Sequence, residues 1–107
     1  MYKTNTAEQI AQRREAGEDL LLVDIREPAE WALATIEGAQ QRAMSQVNEW
    51  WQELPADREV VIFCHHGGRS AQLCQALASQ AGLTNLTNMS GGIDRWSLQV
   101  DPTVPRY

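Results

Sequence analysis

Val60-Val61-Ile62-Phe63-Cys64-His65-His66-Gly67-Gly68-Arg69-Ser70 is the stretch whose reading decides the fold. Its first four residues are a continuous apolar run rich in β-branched side chains, the pattern of a short strand buried on both faces. Beyond the glycines, Leu73, Cys74, Leu77, Ala78 and Ala81 recur at helical spacing and predict a helix from about Arg69 to Ala81, stopped by Gly82. A buried strand that passes through a tight glycine loop into a helix is half of a parallel βαβ unit.

Working outward, Leu20-Leu21-Leu22-Val23 is a second run of the same kind. Gly38–Arg42 and Asn85–Asn88 are candidate shorter strands. Thr6 is placed to cap a helix through Ala16, with Gly17 past its end. Pro28 suits the first turn of a helix to about Leu33. Ser45 with Asn48 and Glu49 predicts another helix carrying Val47, Trp50, Trp51 and Leu54 before Pro55. Gly91-Gly92 precedes a last helix bearing Ile93 and Trp96, and the tail Asp101–Tyr107 reads as extended. The alternation predicts an α/β fold: a central, mainly parallel sheet of about five short strands, flanked by helices on both faces. No repeat, linker or low-complexity tract interrupts it, so the 107 residues are expected to form a single domain, 1–107.

The formal net charge is −5, with 9 Lys+Arg and 14 Asp+Glu. This balance argues against nucleic acid and anionic membrane surfaces as partners. The acidity is confined to the first half: between Val60 and Ile93 the only formally charged side chain is Arg69. The start carries no apolar signal segment, and no apolar run approaches membrane-spanning length. With two cysteines, Cys64 and Cys74, the chain is expected to be a cytoplasmic protein with free thiols.

The loop itself favours an anion. Gly67 and Gly68 let the backbone turn its N–H groups inward, the following helix adds its positive end, and Arg69 can add a planar cation. These features favour the thiolate form of a cysteine, so Cys64 is the candidate nucleophile. The alternative for Cys64 is a small buried hydrophobe at a strand end. The spacing from Cys64 to Arg69 is Cys-x4-Arg. Cysteine-dependent phosphatases use a loop one residue longer, which widens the cradle for a tetrahedral phosphate.

Three segments carry a resemblance to the rhodanese family of sulfurtransferases. Leu22-Val23-Asp24-Ile25-Arg26-Glu27-Pro28-Ala29-Glu30-Trp31 resembles its first signature, Cys64-His65-His66-Gly67-Gly68-Arg69-Ser70 its catalytic loop, and Gly91-Gly92-Ile93-Asp94-Arg95-Trp96 with Pro105-Arg106-Tyr107 its closing helix and tail. The resemblance implies a rhodanese-like fold and a two-step reaction without metal or organic cofactor. Cys64 takes sulfur from a small anionic donor such as thiosulfate and becomes a persulfide. An acceptor, cyanide or a thiol including one on a protein, then removes it. The loop amides from His65 to Ser70 hold the charge, and Arg69 fixes the loop and attracts the donor. One departure stands out: Thr35 lies where the family usually has histidine.

Two readings from other classes compete with this one: a small cysteine-dependent phosphatase or arsenate reductase, and a non-catalytic binding or regulatory module. His65 and His66 suggest a metal, but no carboxylate or cysteine partner is evident at zinc spacing, so they are assigned to the loop lining. Asp24 and Arg26, at the end of a strand, are expected to be a supporting pair. Cys74 falls on the apolar stripe and is expected in the core.

Overall fold

The structure, a computed structural model, describes residues 1–107. Five strands form one sheet: β1 (Lys3–Thr6), β2 (Leu20–Asp24), β3 (Gln40–Gln41), β4 (Glu59–Phe63) and β5 (Leu86–Ser90). Their order is β1-β5-β4-β2-β3 and every neighbouring pair is parallel. The expected α/β architecture is therefore observed. No helix is long and apolar enough to cross a membrane.

The continuous apolar runs form the two inner strands β2 and β4 because both of their faces are covered. Val60, Val61, Ile62 and Phe63 are all fully buried. Along β4, Val61 and Phe63 join Leu22, Met89, Ile93 and Trp96 in one core. Val60, Ile62 and Cys64 join Leu21, Val23, Leu73, Leu77 and Leu86 in the other. Helices α1 (Ala7–Glu15) and α5 (Gly92–Gln99) supply Ile10, Ile93 and Trp96 to the first core. Helices α3 (Val47–Trp50) and α4 (Gly68–Gln80) supply Trp50, Leu73, Cys74 and Leu77 to the second. The alternation along β4 thus puts Cys64 on the α4 side of the sheet. Cys74 is buried there too, and burial pushes its thiol up to about 12.

Strand β1 departs from the sequence expectation. Lys3-Thr4-Asn5-Thr6 is polar and partly exposed, so it lacks the apolar signature of a strand. It is an edge strand whose backbone pairs with β5, an arrangement that asks nothing apolar of its side chains. Thr6 ends the strand and caps α1: its hydroxyl accepts from the Gln9 amide, and the Gln9 side chain accepts from the Thr6 amide.

Two helices are shorter than expected. The segment opened by Ser45 is a 3-10 turn (Met44–Gln46), α3, and a second 3-10 turn (Trp51–Glu53). Ser45 does not cap it, because its amide and hydroxyl both donate to the Glu27 carboxylate. The Trp50 indole also donates 2.8 Å back to the Ala43 carbonyl, which ties the segment to the preceding turn. The helix at Pro28, α2 (Pro28–Trp31), stops before Leu33. Beyond it the chain turns on the Glu30 carbonyl, which accepts from the amides of both Leu33 and Ala34, and the Ala34 carbonyl accepts from Arg26.

Candidate active site

At the carboxyl edge of the sheet, β2 and β4 end side by side, with Asp24 in register with Phe63. Chain direction diverges here, β2 leading outward to β3 and β4 leading to β5 on the other side. Such a switch point opens a crevice between the loops that leave the strands.

Cys64 follows β4 directly and is almost fully buried. Its loop curls back on the sulfur. Gly67 takes a φ of +106°, a left-handed conformation that favours glycine, and begins α4. Two amides then meet Cys64 Sγ: Gly67 N–H donates at 3.1 Å and Ser70 N–H at 3.4 Å. The Ser70 hydroxyl lies 3.4 Å from the same sulfur. The other expected loop donors, His65, His66, Gly68 and Arg69, make no amide bond to it.

The outer side of the loop is pinned by α5. Ile93 N–H donates to the Cys64 carbonyl at 2.9 Å, and Asp94 N–H to the His65 carbonyl at 3.0 Å. These are amides that a helix start leaves without intrahelical partners. Gly92 permits the approach: a Cβ there would collide with the carbonyls of Cys64 and His65, and its φ is +59°. The Gly91-Gly92-Ile93 signature is thus a docking surface for the cysteine loop.

Asp24 and Arg26 form a buried pair beside this loop. Arg26 Nε and Nη2 donate to the Asp24 carboxylate at 2.9 and 2.7 Å. Its Nη1 donates to Tyr107 Oη at 2.8 Å, and Nη2 also donates to the Ala34 carbonyl at 2.6 Å. Arg26 is fully buried and Asp24 almost so, which makes them supports for the strand end.

Arg69 differs from the expectation of a cation free to face the sulfur. Its guanidinium makes a two-pronged pair with Glu30, at 2.7 and 2.9 Å. Tyr107 Oη donates to the same carboxylate at 2.8 Å. The Arg69 hydrogen bonds, helped by Tyr107, hold the Glu30 carboxyl at about 2, and Glu30 in turn raises Arg69. Tyr107 also stacks its ring on His65, with centroids 3.9 Å apart and planes 8° apart. Burial and the neighbouring His66 lower the His65 pKa, which favours its neutral imidazole.

Sequence reading missed Glu30, Tyr107 and Asn88, whose side chain meets Ser70. They stand 39, 38 and 18 residues from their partners in the loop, Arg69, Arg69 through Glu30, and Ser70. Only Asn88 left a local signal, a polar side chain inside the buried run of β5. Reading also found no carboxylate for the two histidines. The structure supplies one: donor atoms of His65, His66 and Asp94 lie within 4.8 Å of one another. Asp94 is already engaged by Arg106 at 3.0 Å, so a metal there would have to displace an arginine. The largest cleft, about 950 Å³, is elsewhere; Trp31, Thr35 and Trp96 line it, and no residue of the cysteine loop does.

The site is thus a strand-ending cysteine wrapped by a short loop that aims two amides at its sulfur. The chain belongs to the rhodanese-like domain family, whose profile matches residues 6–99. It is 43% identical over 98 residues to a sulfurtransferase of Allochromatium vinosum, covering 92% of this chain and 91% of that one. It is 35% identical over 106 residues to the probable adenylyltransferase/sulfurtransferase MoeZ of Mycobacterium tuberculosis; that match takes in 97% of this chain but only 27% of that protein. Among solved structures, a rhodanese-related protein from Thermoplasma volcanium superposes with a TM-score of 0.82 at 30% identity, over 99% of this chain and all of that one.

Proposed function

We propose that the protein is a sulfurtransferase that carries sulfane sulfur on Cys64. The observation that carries this reading is the pair of amides, Gly67 and Ser70, aimed at a buried Sγ from the start of α4. Preorganised donors of this kind favour negative charge on the sulfur and cost no reorganisation when it develops. The sulfurtransferases among its relatives support the same class of chemistry.

The reaction runs in two displacements. The Cys64 thiolate attacks the outer sulfur of thiosulfate. A new S–S bond forms, the thiosulfate S–S bond breaks, and sulfite leaves with the electron pair. Cyanide or a thiol, free or on a protein, then attacks the outer sulfur of the Cys64 persulfide. That bond breaks and returns the thiolate to Gly67 and Ser70. His65, His66, Gly67 and Gly68 shape the loop, and Arg69 acts through its pair with Glu30. The chemistry suits a reducing compartment such as the cytoplasm, where the thiol stays free. No step needs a metal or an organic cofactor.

A phosphate ester is the poorer substrate for this loop. Its one cation is already neutralised by Glu30, and only two amides point at the centre. Steady-state assays distinguish the two chemistries. Thiosulfate and cyanide are expected to give thiocyanate with the parallel-line pattern of a ping-pong reaction. Hydrolysis of a generic phosphate ester is expected to stay at background. Phosphatase activity without thiocyanate formation would reverse the assignment.

A further inference from the structure

Ser70 Oγ has three neighbours and one hydrogen to give. Asn88 Oδ1 lies 2.5 Å away, the Gly67 carbonyl 3.1 Å and Cys64 Sγ 3.4 Å. Asn88 and Ser70 are both buried, on facing sides of the contact between β5 and α4. Water is therefore not at hand to relieve a wrong orientation. The shortest contact takes the hydrogen, so Ser70 donates to Asn88 and turns an oxygen lone pair toward the sulfur. A thiol can donate its S–H to that lone pair, whereas a sulfur anion is repelled by it.

We propose that Asn88 is a positioning residue for the reaction: by holding the Ser70 hydrogen it decides whether Ser70 meets Cys64 as an acceptor or as a donor. While Asn88 keeps the hydrogen, the two amides alone face the sulfur anion. When Asn88 releases it, the Gly67 carbonyl at 3.1 Å is long for an O–H···O bond, whereas 3.4 Å suits an O–H donor to the larger, charged sulfur, so the hydroxyl rotates and becomes a third donor to the anion. This inference rests on the reading of Cys64 as the sulfur carrier, and it concerns the thiol before any sulfur is transferred.

The test is alkylation of Cys64 by iodoacetamide across pH, read at the Cys64 peptide by mass spectrometry so that Cys74 does not contribute. Asn88→Leu keeps the side-chain volume and removes the competing acceptor. Freeing the Ser70 hydrogen gives more thiolate at pH 7, and each thiolate is less nucleophilic. Alkylation at pH 7 is expected to rise about two- to fourfold while the plateau at high pH falls. Simple loosening of the loop would raise both. Asn88→Asp keeps an acceptor and is expected to show no rise. In a Ser70→Ala background Asn88→Leu is expected to change neither limb. Asn88→Ser, too short to reach, carries the same expectation as Asn88→Leu should the leucine variant not fold. A rise that persists without the Ser70 hydroxyl, or a parallel rise at both ends of the pH range, overturns the proposal. Loss of sulfur transfer in the wild type would count against the proposed function and leave this result standing.

Discussion

Two neighbouring strands end in opposite ways at the carboxyl edge of the sheet. β2 ends in charge that is fully answered: the Asp24 carboxylate and the Arg26 guanidinium are buried together and bonded on every side. β4 ends in a loop with almost no formal charge, whose donors are aimed at one sulfur atom. The nearest cation in sequence, Arg69, is neutralised by Glu30. The contrast separates two uses of electrostatics. At β2, charges already present lock the backbone. At β4, dipoles converge on a side chain that carries no partner of opposite charge.

Breaking the β2 side is expected to have the largest effect on stability. Arg26→Met keeps much of the volume but leaves Asp24 buried without its partner. Removing one member of such a pair costs about 3–5 kcal/mol, a large part of the stability of a small domain. Urea denaturation checks this. A loss below about 1 kcal/mol would mean that the pair is not the anchor described above.

A smaller effect is expected where the two regions meet. Glu30→Gln removes the carboxylate that joins Arg69 to Tyr107, and is expected to cost about 1 kcal/mol at pH 7 because the pair is partly exposed. The pH dependence gives the sign. The Glu30 carboxyl sits at about 2 in the folded protein, below its value in the unfolded chain. Its contribution is therefore full above the unfolded value of about 4.3 and fades as pH falls toward 2. Wild type and Glu30→Gln should differ in melting temperature at pH 7 and converge on acidification. A gap that stays constant with pH would assign the loss to packing.

The comparison also explains what the sequence made legible. β2, β4 and the cysteine loop could be read because their signals are local: unbroken apolar runs, two glycines, a helical stripe. The last helix could be read for the same reason, since Gly92 must be small where α5 meets the Cys64 and His65 carbonyls. β1 could not, because an edge strand held by its backbone needs no apolar side chains. The fate of Arg69 could not either. Glu30 and Tyr107 reach it only after the sheet has brought α2 and the tail over the loop. Ser45 misled in the opposite direction, since a good cap residue was drawn off by Glu27. Local signals therefore located the cysteine loop, and long-range contacts decided which of its side chains are already paired.

The central claim is that the loop after β4, whose one cation is paired with Glu30, holds a sulfur anion on Cys64. Intact-protein mass spectrometry after incubation with thiosulfate tests it directly. The expected result is a gain of one sulfur atom, absent in Cys64→Ser and removed by cyanide. No adduct with thiosulfate or any other sulfane donor, or the same adduct in Cys64→Ser, would contradict it.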